Sequence, residues 1–299
     1  MKNTLFYYYK LSPDKVIKKN NYYYFELDNF VCYLYLVTKP LEYINELLIL
    51  NKVLVNTNFY LIVSNVNGQV ISIIDNKYYI LLKGSKNTRF NISEFYYPYY
   101  YAYAFKLKLL DHSDWGRLWS EKVDYFEYQK DYIKLKYNTL YHTLDYFIGL
   151  SENAISYFYA VNRCFKKTME DNLVICRRRI DFDDINFYNP LNIVIDNKSR
   201  DSAEYLKYLF INNDYTYEML DDFLVNLNYS KYQYGLLIAR LLFPSHYFDV
   251  YEKIVNGGLS EKEIFPLLNR TKEYESFLRY IYKTINKNQS ILQIDWLDN

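Results

Sequence analysis

The sequence predicts an α+β protein of two lobes, a small β-rich one followed by a larger helical one. Two observations carry this prediction. Short aromatic and β-branched runs bounded by turn residues fill most of the first 85 or so residues, and apolar residues recur at helical spacing from Asp111 onward. No repeat of fixed period is visible, which argues against solenoids and propellers. Strands with one helix, followed by a run of helices, make an α+β arrangement.

The β-rich lobe is predicted from its strand and turn pattern. Leu27-Asp28-Asn29 separates the first two strands as a hairpin turn. Asn67-Gly68 between apolar runs is a strong hairpin signal and joins two later strands. One helix, with apolar residues at helical spacing after Pro40, lies between these pairs. The predicted strands cover 22–26, 30–37, 60–66, 70–74 and 78–82, and the helix covers 41–55.

The helical lobe begins with a long helix near Ser113, capped by Asp111 or Ser113. Its inner side carries a mostly apolar set, namely Trp115, Leu118, Trp119, Lys122, Phe126, Gln129 and Ile133. Ser151-Glu152 is predicted to start another helix, since a hydroxyl cap is followed by an acid. Further helices are predicted over 200–213, 216–228, 230–243, 245–256, 260–268 and 271–286, and a strand over 102–110. These elements place the β-rich N-lobe at residues 1–92 and the helical C-lobe at 93–299.

Composition excludes several classes of function. The formal net charge is +1, whereas binding to nucleic acid or anionic lipid requires a surplus of positive charge. The 39 tyrosines are attributed to the bias of an AT-rich genome rather than to base stacking. Cys32, Cys164 and Cys176 form no metal-ligand pattern, so no metal site is predicted. The longest apolar run, 30–37, is too short to span a membrane, and the expected location is a reducing cytoplasm.

Three segments of the helical half resemble a known family. They are the run from Asp111 to Gln129, the run from Ile193 through Asp196 and Arg200-Asp201 to Lys207, and Leu242-Phe243-Pro244-Ser245 with Tyr247-Phe248-Asp249. Together they resemble the aminoglycoside-phosphotransferase-like spore coat proteins of the CotS and YutH type. The resemblance implies a two-lobed protein-kinase-like fold and an association with spores. It also implies that Asp201 is structural, because the family's aspartate at that point supports the catalytic loop.

The same resemblance implies that the parts needed for phosphoryl transfer are degraded. The family's catalytic base falls in the segment Arg177-Arg178-Arg179, and a guanidinium cannot act as a base. The strand that should carry a phosphate-binding lysine has none, and Lys39 lies just beyond it. Asn192 and Asp196 remain as candidates for binding Mg²⁺ and ATP. A glycine-rich loop is also missing, since only Gly68 and Gly84 precede residue 116.

The charged and ionisable residues allow other interpretations. The arginine run could form an anion site, but neutralisation by Asp181, Asp183 and Asp184 just downstream is favoured. His112 and His142 are predicted to lie in helices, and none of the three histidines has a marked nucleophile beside it.

Three hypotheses follow for function. The favoured one is a pseudokinase that needs no cofactor and acts through an unidentified protein partner, in sporulation or the spore coat. The second is a divergent phosphotransferase that uses Mg²⁺ and ATP on an alcohol group. The third is an unrelated tyrosine-rich protein that acts in structural assembly.

Overall fold

The computed structural model describes residues 1–55, 57–98, 107–182 and 187–298. The chain forms two compact units. The first comprises Met1–Ile92, Ala104–Asp111 and Asp181–Val194, and the second comprises Ser93–Tyr103, His112–Ile180 and Ile195–Asn299. No described helix has the length and apolar character needed to cross a membrane.

The first unit is built on one antiparallel sheet with the order β1-β2-β3-β6-β4, in which β5 also pairs with β6. Its elements are α1 (Lys2–Tyr9), β1 (Val16–Lys18), β2 (Tyr22–Leu27), β3 (Phe30–Leu36), α2 (Leu41–Leu54), β4 (Leu61–Val63), β5 (Ile71–Ile74) and β6 (Lys77–Ser85). The hairpin predicted at Leu27-Asp28-Asn29 is present, and Asp28 takes a positive φ of 43° there.

The prediction of a hairpin at Asn67-Gly68 is wrong. The strands β4 and β5 do not pair with each other but follow one another along β6, with Val63 opposite Leu81 and Ile71 opposite Ile80. Residues 64–70 leave this line as a loop closed by Asn65, whose side-chain oxygen accepts from the backbone N–H groups of Asn67 and Gln69 at 3.0 Å each. A side chain that satisfies turn amides can stabilise such a loop without a β-ladder.

The hairpin of this region lies later in the sequence, between β5 and β6. Ile74 pairs with Lys77, so the loop contains only Asp75 and Asn76. Both take positive φ, 48° and 58°, as a type I′ turn requires.

Helix α1 was not predicted, because its aromatic run Phe6-Tyr7-Tyr8-Tyr9 favours a strand. Packing decides in favour of the helix: Leu5 and Tyr9 belong to a buried cluster with Phe25, Leu34 and other sheet residues. The helix ends at Lys10, whose left-handed backbone places its N–H toward the carbonyl groups of Leu5 and Phe6.

The second unit is helical apart from a two-stranded β7–β8 sheet. Its elements are α3 (Ser93–Tyr96), α4 (Trp115–Ile133), α5 (Asn138–Cys164), β7 (Val174–Arg177), β8 (Ile193–Asp196, whose last two residues belong here), α6 (Ser199–Asn212), α7 (Tyr217–Asn226), α8 (Lys231–Leu242), α9 (Ser245–Val255), α10 (Phe265–Asn269), α11 (Thr271–Asn288) and α12 (Asp295–Asp298). The central helices pack as α4 on α5, α5 on α8 and α8 on α6.

Several predicted ends in this half are corrected. Asp114, not Asp111 or Ser113, caps α4 by accepting from the backbone N–H of Arg117. Ser151 does not start a helix: it is buried in the middle of α5 and donates to the carbonyl of Phe147. His112 precedes α4 rather than lying in a helix, and Leu107–Leu110 forms a turn rather than a strand. The rest of that predicted strand, residues 102–106, lies outside the described residues.

Candidate functional site

The first of the three arginines, Arg177, ends β7 and is buried, with 3% of its surface exposed. Its guanidinium pairs with Asp201 at 2.9 Å and with Glu94 at 2.8 Å. The other oxygen of Asp201 accepts from the backbone N–H of Arg177 at 2.7 Å. Burial raises the pKa of Asp201 even though Arg177 opposes that shift. The carboxylate of Asp201 therefore ties the start of α6 to the segment that follows β7.

The third arginine, Arg179, is half-buried and belongs to a second charged cluster. It donates to both oxygens of Asp249 on α9, at 2.6 and 3.0 Å. It also lies 3.6 Å from Glu204 on α6, which accepts from Arg240 on α8 at 3.0 and 3.2 Å. The two guanidinium groups hold the pKa of Glu204 below its usual range despite burial. The Arg179 guanidinium is held in place by these charge-assisted hydrogen bonds, and a guanidinium cannot accept a proton from a substrate.

The predicted neutralisation of Arg177, Arg178 and Arg179 by Asp181, Asp183 and Asp184 stays a prediction. Asp183 and Asp184 lie outside the described residues. The acidic partners described above, Glu94, Asp201, Glu204 and Asp249, come from distant parts of the chain. The Nε atom of Arg178, between the two paired arginines, is buried without a hydrogen-bond partner among the described residues.

Asp196, at the end of β8, is fully buried. One carboxylate oxygen accepts from the indole N–H of Trp115 at 2.8 Å and from the guanidinium of Arg200, one helical turn later. The other accepts from the backbone N–H of Asn197 at 2.7 Å. Burial raises its pKa, while Arg200 and Arg240 act in the opposite direction. The carboxylate is thus satisfied by donors of the protein itself.

Asn192 belongs to the first unit, in a single 3-10 turn that precedes β8. Its backbone N–H donates to the carbonyl of Asn189 at 2.9 Å. The hydroxyl of Tyr43 on α2 donates to the carbonyls of Leu191 and Ile193 on either side, at 3.2 and 3.4 Å. The backbone around Asn192 is therefore fixed to α2.

These surroundings do not fit a magnesium ion held by Asp196. Hard divalent cations take oxygen ligands with lone pairs free to coordinate them. Both oxygens of Asp196 already accept N–H groups, and a guanidinium lies where a cation would be repelled. Over the described ranges, no group of three His, Cys, Asp or Glu side chains is placed to hold a metal ion.

In a protein kinase, a lysine on the strand before the helix that corresponds to α2 pairs with a glutamate of that helix. Strand β3 contains no lysine, and the ammonium of Lys39 lies 5.6 Å from the ring centre of Tyr43. On α2, the carboxylate of Glu46 accepts from the backbone N–H groups of Leu109 and Leu110 at 3.0 to 3.2 Å. This use of Glu46 was not predicted.

Sequence reasoning also missed the acidic and basic partners in the second unit. Arg240 carried a usable signal: it is a lone arginine inside the apolar run Leu236 to Phe243, and buried arginines need a partner. Glu94, Glu204 and Asp249 carried none, because nothing in a sequence marks which remote arginine they meet.

The chain has a small unit built on an antiparallel sheet and a larger helical unit. This is the protein-kinase-like fold of the aminoglycoside phosphotransferase type, as predicted. An aminoglycoside phosphotransferase from Alicyclobacillus acidocaldarius shares it with a TM-score of 0.63 and 11% identity, over 93% of this chain and 94% of that one. A spectinomycin phosphotransferase solved with ADP and spectinomycin gives a TM-score of 0.51 and 11% identity, over 94% and 92%. At such identities the likeness shows the fold alone.

The family to which the chain belongs can also be identified. A family model described as "Spore coat putative kinase YutH" matches residues 2–281, and the chain belongs to that family. The "Endospore coat-associated protein YutH" of Bacillus subtilis (strain 168) is 28% identical over 261 residues, which is 75% of each chain. The family resemblance stated from the sequence is thereby confirmed.

Proposed function

We propose that this protein is a pseudokinase of the spore coat, which acts by binding a protein partner and not by transferring phosphate. The observation that carries the proposal is the state of Asp196. Its two oxygens accept from Trp115, Arg200 and Asn197, and the Arg200 guanidinium beside them repels a second cation, so the carboxylate is poorly suited to bind Mg²⁺. The coat association is drawn from the name of the Bacillus subtilis relative.

The arginines after β7 support the same proposal. Phosphoryl transfer depends on positioned charges that orient the acceptor and stabilise the transferring group. Within the second unit, Arg177 forms ion pairs with Asp201 and Glu94, and Arg179 forms one with Asp249. Salt bridges of this kind maintain the loop's shape and leave no proton acceptor at Arg179.

The divergent phosphotransferase remains the alternative to be tested, because a solved protein of the same fold binds ADP. The third hypothesis, an unrelated tyrosine-rich protein, is set aside by the shared fold and family.

Titration of the purified full chain with Mg²⁺ and ATP separates the two remaining hypotheses. We expect no heat of binding at millimolar ATP and no release of labelled phosphate, with or without an alcohol acceptor. Loss of a general base alone lowers the rate by about 10²- to 10⁴-fold. Turnover that disappears in Asp196→Ala would overturn the pseudokinase proposal, whereas turnover that persists in that variant would identify a contaminating kinase.

The coat association needs its own test. A fluorescent fusion of the chain, expressed in a sporulating host, should collect at the forming spore as development proceeds. A fusion that stays diffuse throughout sporulation, while a fusion of the Bacillus subtilis relative collects, would contradict that part of the proposal.

A further inference from the structure

A cavity of about 140 Å³ lies wholly within the helical unit, between α5, α6, α9, α10 and α11. Its walls are mainly aromatic and aliphatic: Phe147, Leu150, Phe210, Tyr247, Leu267 and Leu278. A cavity of about 150 Å³ lined by such side chains accommodates a benzene ring. It contains none of the residues discussed as phosphotransfer candidates, so its ligand is independent of the proposed function.

Lys207 lies among these apolar walls. It is 2% exposed and donates to the carbonyl of Phe243 at 2.7 Å and to the hydroxyl of Ser245 at 3.1 Å. An ammonium group has three N–H donors. Its third N–H has no acceptor in the described part of the chain, and a buried charge without a full set of partners is costly.

Ser245 and His246 line the cavity beside Lys207, at the start of α9. The Ser245 hydroxyl accepts from Lys207, which leaves its own O–H as a donor. The Nε2 atom of His246 is buried and has no hydrogen-bond partner in the described ranges. An apolar pocket with a few polar groups at one end is the usual form of a small-molecule site.

We propose that this cavity binds a monocyclic aromatic carboxylate, with the ring between Phe147, Phe210 and Leu278 and the carboxylate on Lys207 and Ser245. The cavity volume limits the apolar part to one ring, and a carboxylate supplies the acceptor that the third Lys207 N–H lacks. A cationic ligand is disfavoured, because the lining residues described include two cations, Lys207 and Arg270, and one anion, Glu275.

The charges around Lys207 set the pH at which this site operates. Burial lowers the pKa of Lys207 to about 7. Glu204 and Asp249 favour the ammonium, whereas Arg179 and Arg240 disfavour it. His246 also faces the site, but burial lowers its pKa to about 4, so it is neutral above that pH. The ammonium is therefore present below about pH 7, and a bound carboxylate would raise its pKa.

Calorimetric titration of the full chain at pH 6 with benzoate, its neutral isostere benzamide, and acetate tests the proposal. We expect benzoate to bind, benzamide to bind about tenfold more weakly or worse, and acetate not to bind. Above pH 7 the affinity for benzoate should fall by up to about tenfold per pH unit, because only the ammonium form binds, while that for benzamide should stay constant.

Two variants and a control sharpen the test. Lys207→Met keeps the length of the side chain and should remove the preference for benzoate over benzamide. Leu150→Trp fills the cavity and should abolish binding of both compounds. Lys283→Met, at an exposed position of α11, should change neither. Equal binding of benzoate and benzamide by the wild type, no binding of either, or an unchanged preference in Lys207→Met would overturn the proposal. The pH series on the wild type decides the question if Lys207→Met fails to fold.

Discussion

At the scale of single residues, the helical unit is distinguished by charges buried in matched pairs. Some of these pairs were within reach of sequence reasoning. Asp196 and Arg200 stand four positions apart, a spacing that favours contact at a helix start, and the family resemblance marked Asp201. Others were not, since Asp249 lies 70 positions after Arg179 and only the fold brings them together. The positions of charges are visible in a sequence, but their long-range pairing depends on packing.

Asp201→Ala is expected to lower the free energy of unfolding by about 3 kcal/mol, because it takes the acceptor from the backbone N–H of Arg177 and removes one of the two carboxylates paired with the buried guanidinium. Chemical denaturation of the wild type and the variant measures this loss. The matched control is Asp145→Ala, which removes an exposed carboxylate paired with Lys130 and should cost at most about 0.5 kcal/mol.

A loss for Asp201→Ala as small as that of the control would show that the buried pair contributes no stability.

At the scale of elements, strands were predicted better than their connections. Strands β2, β3 and β6 were identified because runs of tyrosine, valine and leucine between turn residues are typical of a sheet. The Asn67-Gly68 turn misled because the loop is closed by the side chain of Asn65. Asp75-Asn76 lacks the glycine that usually marks a type I′ turn, so the true hairpin was overlooked.

Asn76→Gly is expected to stabilise the protein by up to about 1 kcal/mol, since glycine adopts the positive φ of this position without steric cost. Asn76→Ala should destabilise it by about 1 kcal/mol for the opposite reason. The midpoint of urea denaturation, at unchanged slope, measures both. The same direction of change in the two variants would contradict a type I′ turn at this site.

At the scale of the whole molecule, tyrosine contributes much of the core. Tyr157 and Tyr234 are buried and Tyr274 is half-buried, and the hydroxyl groups of all three donate to backbone carbonyls at 2.7 to 3.1 Å. Burial raises the pKa of each, and it raises the pKa of Tyr205 and Tyr247 to about 12. Composition alone indicated an abundance of tyrosine but could not show which rings are internal.

These tyrosines make the protein sensitive to alkali. A raised folded-state pKa means that the contribution to stability is complete below the unfolded value of about 10 and is lost as the pH rises through the folded value. We therefore expect the free energy of unfolding to fall by several kcal/mol between about pH 10 and 12, at up to about 1.4 kcal/mol per buried tyrosine per pH unit. Urea denaturation across this range measures the decline.

Tyrosinate absorbance provides the control. Tyr97 is 80% exposed and serves as the reference position, whereas the buried rings should ionise together as the chain unfolds. Tyr274→Phe should make the decline shallower and Tyr97→Phe should not. A stability that is constant up to pH 12 would contradict the burial of these hydroxyl groups.

The pairing of Arg179 with Asp249 and Glu204 also limits which side chains position 179 can hold. An aspartate there would add a negative charge beside Asp249, which would have lost its guanidinium partner, and beside Glu204, which would keep only Arg240. Losing this partly buried pair and gaining a like charge would both lower the stability of the folded chain. The cluster therefore couples positions 179, 204 and 249, so that a reversal of charge at one of them favours compensating changes at the others.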